Sequence, residues 1–411
     1  MNQNLQTQRP NYTFALIVVF IVCFLIGFIT TMNNSMIEFC KEAFKLNDTQ
    51  GQLVNTAFYG AYVLAIPFAM LMSKIGYKGT LVLGLAVAGL GFVINSFGLN
   101  SAISAGSDKV YWIFLACMFI VAMGVVMLQN VANPYVMVLG SPEKGAFRMT
   151  LSQALNSVAT TVAPMFISTV IIADRPKVPE NVPTPFLGLG IFTLAICIIL
   201  IFLKLPKIDE AKQAEDAGEH KKYKSSVFAY PHVWLGALGI FMYMGLEIGI
   251  PSMLPAYFKA DPSLGQATDY LWLYWGGMMI GRFVGAGILS KFEPRKLLTI
   301  CLCCGALCVA VSFALNGMAA VYCMLAAGLF HSVMWPLIFN LGLQNLGPHT
   351  KAATGIINMG VIGGATLPLL MGRLVDNPAL GVGYAIALMF VYYLYIVWFC
   401  NWGSKIGLEN K

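Results

Sequence analysis

Twelve long apolar segments follow one another along this chain of 411 residues, and most of them are joined by short polar connections. A helix needs about 20 mostly apolar residues to cross the hydrocarbon core of a bilayer. A segment in hydrocarbon must also satisfy its backbone hydrogen bonds internally, which makes it helical. The pattern therefore predicts an all-α polytopic membrane protein with twelve transmembrane helices. The segments cover approximately residues 13–37, 51–73, 78–99, 110–138, 149–173, 184–204, 232–257, 267–289, 296–316, 319–342, 352–373 and 380–402.

The composition excludes several other classes of protein. Charged residues make up 10% of the chain, against roughly 25% in an average soluble domain. This scarcity excludes a soluble globular enzyme, a disordered chain and a nucleic-acid-binding protein. The formal net charge of +7 fits basic loops held on the cytoplasmic side of a membrane.

One connection is longer and more polar than the others. Residues 205–229 are mixed in charge and separate six predicted helices from six more, which predicts two halves, 1–204 and 230–411, joined by this linker. A weak internal repeat agrees, because a Ser-Lys pair follows both the second helix (Ser73-Lys74) and the eighth (Ser290-Lys291). Two such halves are typical of the major facilitator fold, in which the substrate binds between them near the bilayer midplane. One chain then holds a complete site, so a monomer suffices.

The distribution of basic residues predicts the orientation. With the N-terminus in the cytoplasm, 18 of the 25 Lys and Arg residues fall on the inner side and 7 on the outer side. The opposite orientation would violate the positive-inside rule. Both termini and the linker are therefore predicted to be cytoplasmic, in a multi-pass membrane protein.

The sequence offers no candidate for a resident cofactor or metal. Most of the ten cysteines fall inside apolar segments, which indicates that they are small packing residues. Cys301, Cys303 and Cys304 lie on one apolar helix without a neighbouring His or carboxylate. We expect no metal site, no cofactor and no catalytic residues.

Neutral amides are placed inside several predicted helices, where a polar group must face protein or a water-filled cavity. Gln129 and Asn133 share one face of the fourth helix, Gln153 and Asn156 share one face of the fifth, and Asn34 lies in the outer half of the first. Amides both donate and accept hydrogen bonds, as the hydroxyl groups of a neutral sugar require. These five residues are candidate substrate ligands; the alternative is hydrogen bonding between helices with no ligand.

Two aromatic residues of the eighth helix, Tyr274 and Trp275, lie below the membrane interface. A pyranose ring has an apolar C–H face that could pack on such a ring. Contact with a ligand and packing against other helices are equally compatible with their positions.

Glu247 is the one carboxylate of 18 acidic residues that the sequence places deep in the membrane, near the middle of the seventh helix. An ionisable residue at this depth is a functional candidate, and we assign it to cation coupling; the alternative is a structural hydrogen bond made in its neutral form. Arg282 is placed toward the cytoplasmic end of the eighth helix, so Glu247 is expected to lack a charged partner. Pro251 and Pro255 are expected to break the outer end of the seventh helix.

Several motifs resemble those of a known family. The run QNVANPYV at 129–136 is similar to the fourth-helix signature of the fucose–galactose–glucose symporter family, within the major facilitator superfamily. Supporting matches are KIGYK at 74–78, QALNS at 153–157, and YWGG at 274–277 followed by GRF at 281–283. The resemblance runs from about residue 14 to 402 and is strongest to the glucose/galactose branch.

The resemblance implies a transporter of a bacterial inner membrane, not an enzyme. Such a transporter binds a monosaccharide and moves it together with a proton or sodium ion. The glucose/galactose branch tends to carry a Glu in the seventh helix, matched by Glu247, and a Gln at the position of Gln129. One departure concerns coupling. The family usually has Asn-Asp in the first helix, whereas this chain has Asn33-Asn34. A neutral Asn34 carries no proton, so coupling falls to Glu247, uses sodium, or is absent.

The leading interpretation is a secondary active transporter that imports a neutral hexose by alternating access. Glucose, galactose and fucose stay alternatives, as do proton and sodium coupling. An uncoupled sugar facilitator and a major facilitator transporter of a non-sugar substrate are the other transport hypotheses. A membrane-embedded enzyme is disfavoured, because a pair of acid–base residues would be needed and one deep carboxylate is available.

Overall fold

The computed structural model describes residues 12–46, 48–172, 175–206, 223–260, 270–376 and 379–408, and their regular structure is entirely helical. The α-helices of these residues are α1 (Thr13–Ala43), α2 (Asp48–Gly60), α3 (Ala65–Ser104), α4 (Val110–Val138), α5 (Gly145–Phe166), α6 (Pro183–Phe202), α7 (Pro231–Ala260), α8 (Leu271–Leu289), α9 (Pro294–Ala314), α10 (Gly317–His331), α11 (Met334–Gly342), α12 (Thr350–Met359), α13 (Gly363–Asp376) and α14 (Gly381–Asn401).

These α-helices combine into twelve crossings within the described residues. The second crossing is α2, a 3₁₀ turn at Ala61–Leu64 and the first part of α3. It ends at Gly76, whose φ of 75° and ψ of 177° are not helical, and the rest of α3 is the third crossing. The positive φ suits glycine, which has no Cβ to clash there. Helices α10 and α11 form the tenth crossing, and α12 and α13, joined by a 3₁₀ turn at Gly360–Ile362, form the eleventh.

The lengths and compositions of these helices agree with a membrane protein. Ten described stretches are long and apolar enough to cross a bilayer, and one of them, Leu53–Ser104, contains two crossings because of the Gly76 kink. Helix α8 is 19 residues long and supplies the remaining crossing, with glycines, aromatic residues and Arg282 among its residues. The predicted all-helical, multi-spanning fold is confirmed.

The helices pack in two groups. In the first group α3 packs on α4 and α6, and α1 packs on α5. In the second group α10 packs on α8 and α9, while α7 packs on α13 and α14. Close approach depends on small residues: a Cβ added to Gly124 of α4 would lie 2.5 Å from the backbone nitrogen of Ala88 on α3. Such small-residue contacts are how helices associate in lipid.

The two groups are joined along α3 with α12 and along α5 with α8. The α3–α12 contact places Gly355 against Ala65 and Ala69, in the part of α3 that leads to Gly76. This end of the bundle also carries the end of α6 and the start of α7; we call it the linker end. The predicted division at 205–229 stays a prediction, and residues 207–222 of that linker lie outside the described part of the chain.

The prediction that Pro251 and Pro255 break the seventh helix is wrong. Helix α7 continues from Pro231 to Ala260. A proline within a membrane helix is tolerated where neighbouring helices and small local adjustments satisfy the carbonyl groups it leaves free. Helix α7 is closely packed just before these prolines, because a Cβ on Gly249 would lie 2.8 Å from the sulfur of Met371.

Candidate functional site

Two tyrosines of the second crossing contact predicted site residues. One lies near the end of α2 and the other in the 3₁₀ turn that follows. The Tyr62 hydroxyl donates a hydrogen bond to Oε1 of Gln129 on α4. The Tyr59 hydroxyl lies 3.4 Å from Oδ1 of Asn34 on α1, and the two tyrosine rings are 6.2 Å apart. The pair therefore brings Asn34 and Gln129 to one place. Sequence reasoning missed both tyrosines, since an aromatic residue in an apolar segment ordinarily reads as packing.

The amides of α4 and α5 are also brought together. Nε2 of Gln153 donates to Oδ1 of Asn133 over 3.4 Å. Asn156 turns toward the first helix instead, where its Nδ2 donates to the carbonyl oxygen of Cys23 over 2.9 Å. Gly27 makes room for this side chain, because a Cβ there would lie 2.7 Å from Asn156 Nδ2. Asn156 thus holds α1 against α5.

Two of the buried amides, Asn33 and Asn133, lie beside these residues and keep unused hydrogen-bonding capacity. Asn33 donates from Nδ2 to Oδ1 of Asn55 over 3.2 Å, but its Oδ1 has no partner among the described residues. Asn133, with 1% of its surface exposed, likewise has an unpaired Nδ2 among these residues. A buried polar group left unpaired costs about 1–3 kcal/mol. One acceptor and one donor are therefore available to a ligand or to water.

Glu247 of α7 has a charged partner. Nη2 of Arg282 on α8 lies 3.5 Å from Glu247 Oε1, and the two side chains are 10% and 12% exposed, respectively. The prediction that Glu247 lacks such a partner, with Arg282 away from it, is therefore wrong. The long Arg side chain carries its charge to a different depth from its own Cα, which a residue count along the helix does not capture.

Tyr274 and Trp275 are placed in different surroundings. Tyr274 is fully buried, and its hydroxyl lies 2.8 Å from Nδ1 of His331. The other nitrogen of that ring, Nε2, lies 2.5 Å from the Tyr393 hydroxyl. Trp275 is 40% exposed and lies about two turns from Arg282 on the same face of α8. Trp275 is thus the one of the two that has free ring surface; a substrate-binding role for Tyr274 stays a prediction.

A buried pair of amides joins the two helix groups. Asn358 of α12 donates from Nδ2 to Oδ1 of Asn130 over 2.7 Å, and Asn130 Nδ2 donates to the carbonyl oxygen of Ala65 over 2.8 Å. Both side chains are fully buried. This contact fixes α4 and the second crossing to the eleventh crossing, so Asn130 serves packing between the groups.

Comparison with known proteins identifies the family. The model of the Major Facilitator Superfamily matches residues 19–368. A glucose/galactose transporter of Brucella abortus is 37% identical over 410 residues, covering 97% of this chain and 96% of that protein. The L-fucose-proton symporter of Escherichia coli is 28% identical and covers 90% of this chain and 88% of its own length. A crystal structure of FucP in the outward conformation superposes with a TM-score of 0.79 at 25% identity, covering 95% of this chain and 99% of that chain.

Proposed function

The chain belongs to the major facilitator superfamily, and from this we propose that it is a secondary active transporter that imports a neutral hexose by alternating access. The sugar transporters to which it is similar support this substrate class. They also support a transporter rather than an enzyme. The finer question is which of its own residues hold the sugar.

The observation that carries the proposed site is the set of neutral amides on α1, α4 and α5. Asn34, Gln129, Asn133 and Gln153 are each within hydrogen-bonding distance of another polar side chain of these first crossings. Asn133 keeps a buried donor without a protein partner among the described residues. A sugar hydroxyl accepts as well as donates and meets this requirement. The indole ring of Trp275 supplies an apolar surface for the C–H face of the ring.

The arrangement at the linker end supports an outward-facing state. Helices α3 and α12 hold the two groups together there at Gly355, and the contact between α5 and α8 joins the same two groups. The basic residues favour a cytoplasmic linker end in a bacterial inner membrane. We propose that both termini and the linker are cytoplasmic, and that residues 1–204 and 230–411 rock against each other around the amide site. A single chain contains the whole site, so the monomer is the proposed working unit.

Coupling to a proton or to sodium is proposed through Glu247, since Asn34 carries no charge. The second candidate is an uncoupled facilitator, and the Asn at position 34 is the observation that favours it. In that case sugar would equilibrate but not accumulate. The Glu247–Arg282 pair would then be purely structural.

Uptake by proteoliposomes tests both candidates. Radiolabelled glucose, galactose and fucose are offered with an imposed proton gradient, with an imposed sodium gradient, and with neither. We expect saturable uptake of at least one hexose and its accumulation above equilibrium with one of the two gradients. Saturable uptake without accumulation under either gradient would favour the facilitator. Absence of uptake of all three sugars, in vesicles whose protein is shown to be folded, would overturn the hexose assignment.

A further inference from the structure

The guanidinium group of Arg282 contacts three separate parts of the bundle. Nη2 pairs with Glu247 on α7 at 3.5 Å. Nε donates to the carbonyl oxygen of Ser332, between α10 and α11, over 3.3 Å. Nη1 donates to the hydroxyl of Ser157 and, over 3.5 Å, to the carbonyl oxygen of Gln153, both on α5. Arg282 thus links the buried carboxylate of one helix group to the amide-bearing helix of the other.

We propose that Arg282 is a positioning residue that transmits the charge on Glu247 to α5 and so determines whether the α5–α8 contact stays closed. The proposal rests on the proposed function, since it assigns Glu247 to coupling and Gln153 to the sugar. What the proposal adds is the physical link between Glu247 and Gln153 through Arg282.

The physical basis is the cost of an unpaired charge. When Glu247 is ionised, the pair is neutral overall and is compatible with burial between α5, α7 and α8. When Glu247 takes up a proton, the guanidinium loses its counter-charge inside a largely buried interface. Removing one partner of a buried ion pair is strongly destabilising, whereas removing both is not. The unpaired cation is stabilised by water, whose access increases when α5 separates from α8. Protonation therefore opens the contact between α5 and α8.

Few other groups would be affected electrostatically by a change in the charge of Glu247. Among the described residues, the titratable groups that interact with it are Arg282, Tyr243 of the same helix, Tyr274 of α8 and Tyr59 of the second crossing. A tyrosine hydroxyl ionises near pH 10, so these tyrosines stay neutral in the physiological range. In this part of the chain the guanidinium is the group whose electrostatic balance changes when the carboxylate is protonated.

The sugar and the proton then act on the same turn of α5. The Gln153 side chain contacts Asn133 in the amide site, while its carbonyl oxygen accepts from Arg282. A sugar that binds the Gln153 amide and a proton that releases Arg282 each change what holds this turn. This shared turn is a physical route by which binding of one could alter the free energy of binding the other.

Amide hydrogen exchange in nanodiscs tests the link without any sugar. We compare peptides that cover residues 148–160 in the wild type, in Glu247→Gln and in the double variant Glu247→Gln/Arg282→Gln. The single change leaves the guanidinium unpaired, and exchange in α5 should rise by at least about 100-fold. The double change removes both charges, so exchange should return to within about threefold of the wild type. An unchanged rate in Glu247→Gln, or a faster rate in the double variant than in the single one, would overturn the proposal.

A milder substitution tests the same link if the variants above do not fold. Ser157→Ala removes the α5 side chain that accepts from Arg282. Ser168→Ala is its matched control, because Ser168 lies just after α5, is exposed and donates only to the nearby carbonyl oxygen of Met165 among the described residues. Ser157→Ala should lower gradient-driven accumulation about fivefold or more while sugar exchange between preloaded vesicles and medium changes less than twofold. Ser168→Ala should change neither. Equal accumulation in both serine variants contradicts the link. If the wild type itself transports no hexose, the proposed function fails, whereas the exchange pattern of α5 still decides the role of Arg282.

Discussion

Gly355 offers a direct test of how the linker end is closed. A Cβ added at this position would lie 2.6 Å from the carbonyl oxygen of Ala65 and 3.0 Å from the Cα of Ile66. Both are backbone atoms, so no rotation of a side chain relieves the contact. In Gly355→Ala, α12 and the second crossing must separate by roughly 1 Å to restore ordinary van der Waals distances. This arrangement is destabilised relative to one in which the two crossings are apart at the linker end.

The size of the effect follows from the cost of overpacking. An extra methyl group in a tight contact costs typically 1–3 kcal/mol, which changes the ratio of the two arrangements by about 5-fold to 150-fold. Hydrogen exchange of peptides covering residues 65–75 and 350–358 should rise by that factor in nanodiscs. Gly372→Ala is the matched control, because it lies on the same crossing with no atom within 4 Å of its added Cβ. Wild-type exchange in Gly355→Ala, or the same increase in both variants, would show that this contact does not hold the linker end closed.

Three further outcomes are expected. Tyr62→Phe removes the hydrogen bond to Gln129 and should weaken hexose affinity about twofold to tenfold in calorimetry; the exposed Tyr384, changed to Phe, is the control, and equal affinities in the two variants would contradict a positioning role. Asn34→Asp restores the family's usual carboxylate and should add a pH dependence to sugar uptake; a pH profile identical to the wild type would show that position 34 has no coupling role. Asn156→Ala removes a 2.9 Å bond between α5 and α1 and should lower the free energy of unfolding by about 1 kcal/mol, seen as a lower apparent unfolding temperature; an unchanged temperature would refute that structural role.

The fold was largely predictable, because the hydropathy of a segment indicates whether it lies within the membrane. This property distinguishes crossings from loops. The segment predicted at 110–138 coincides with α4. The kink at Gly76 was not predicted: the polar residues around it indicated a loop, whereas the helix continues on both sides of one non-helical glycine. A glycine between basic residues was the available signal.

The residue types of the candidate site could be predicted from the sequence, but not which side chains contact each other. Periodicity shows which residues of one helix share a face, yet it does not give the rotation of that helix against its neighbours. Arg282 and Glu247 lie on different helices, and Asn130 and Asn358 are 228 residues apart. Such contacts are set by helix packing, so the role of Asn130 between the helix groups could not be predicted from its place in the run at 129–136. The tyrosines at 59 and 62, three residues apart on one helix face, were a signal that sequence reasoning did not use.

The ion pair also changes which arrangement an ionised Glu247 favours. An unpaired carboxylate in hydrocarbon is costly when charged, so a lone Glu247 would be expected to carry its proton whenever the site is closed from water. Beside Arg282 the balance reverses, because the ionised carboxylate makes the pair neutral and its protonation exposes a buried cation. The closed α5–α8 contact then favours the ionised form, and proton uptake favours its opening. For a proton that enters from the outer side and leaves at the linker end, uptake then precedes opening, as inward movement of the proton requires.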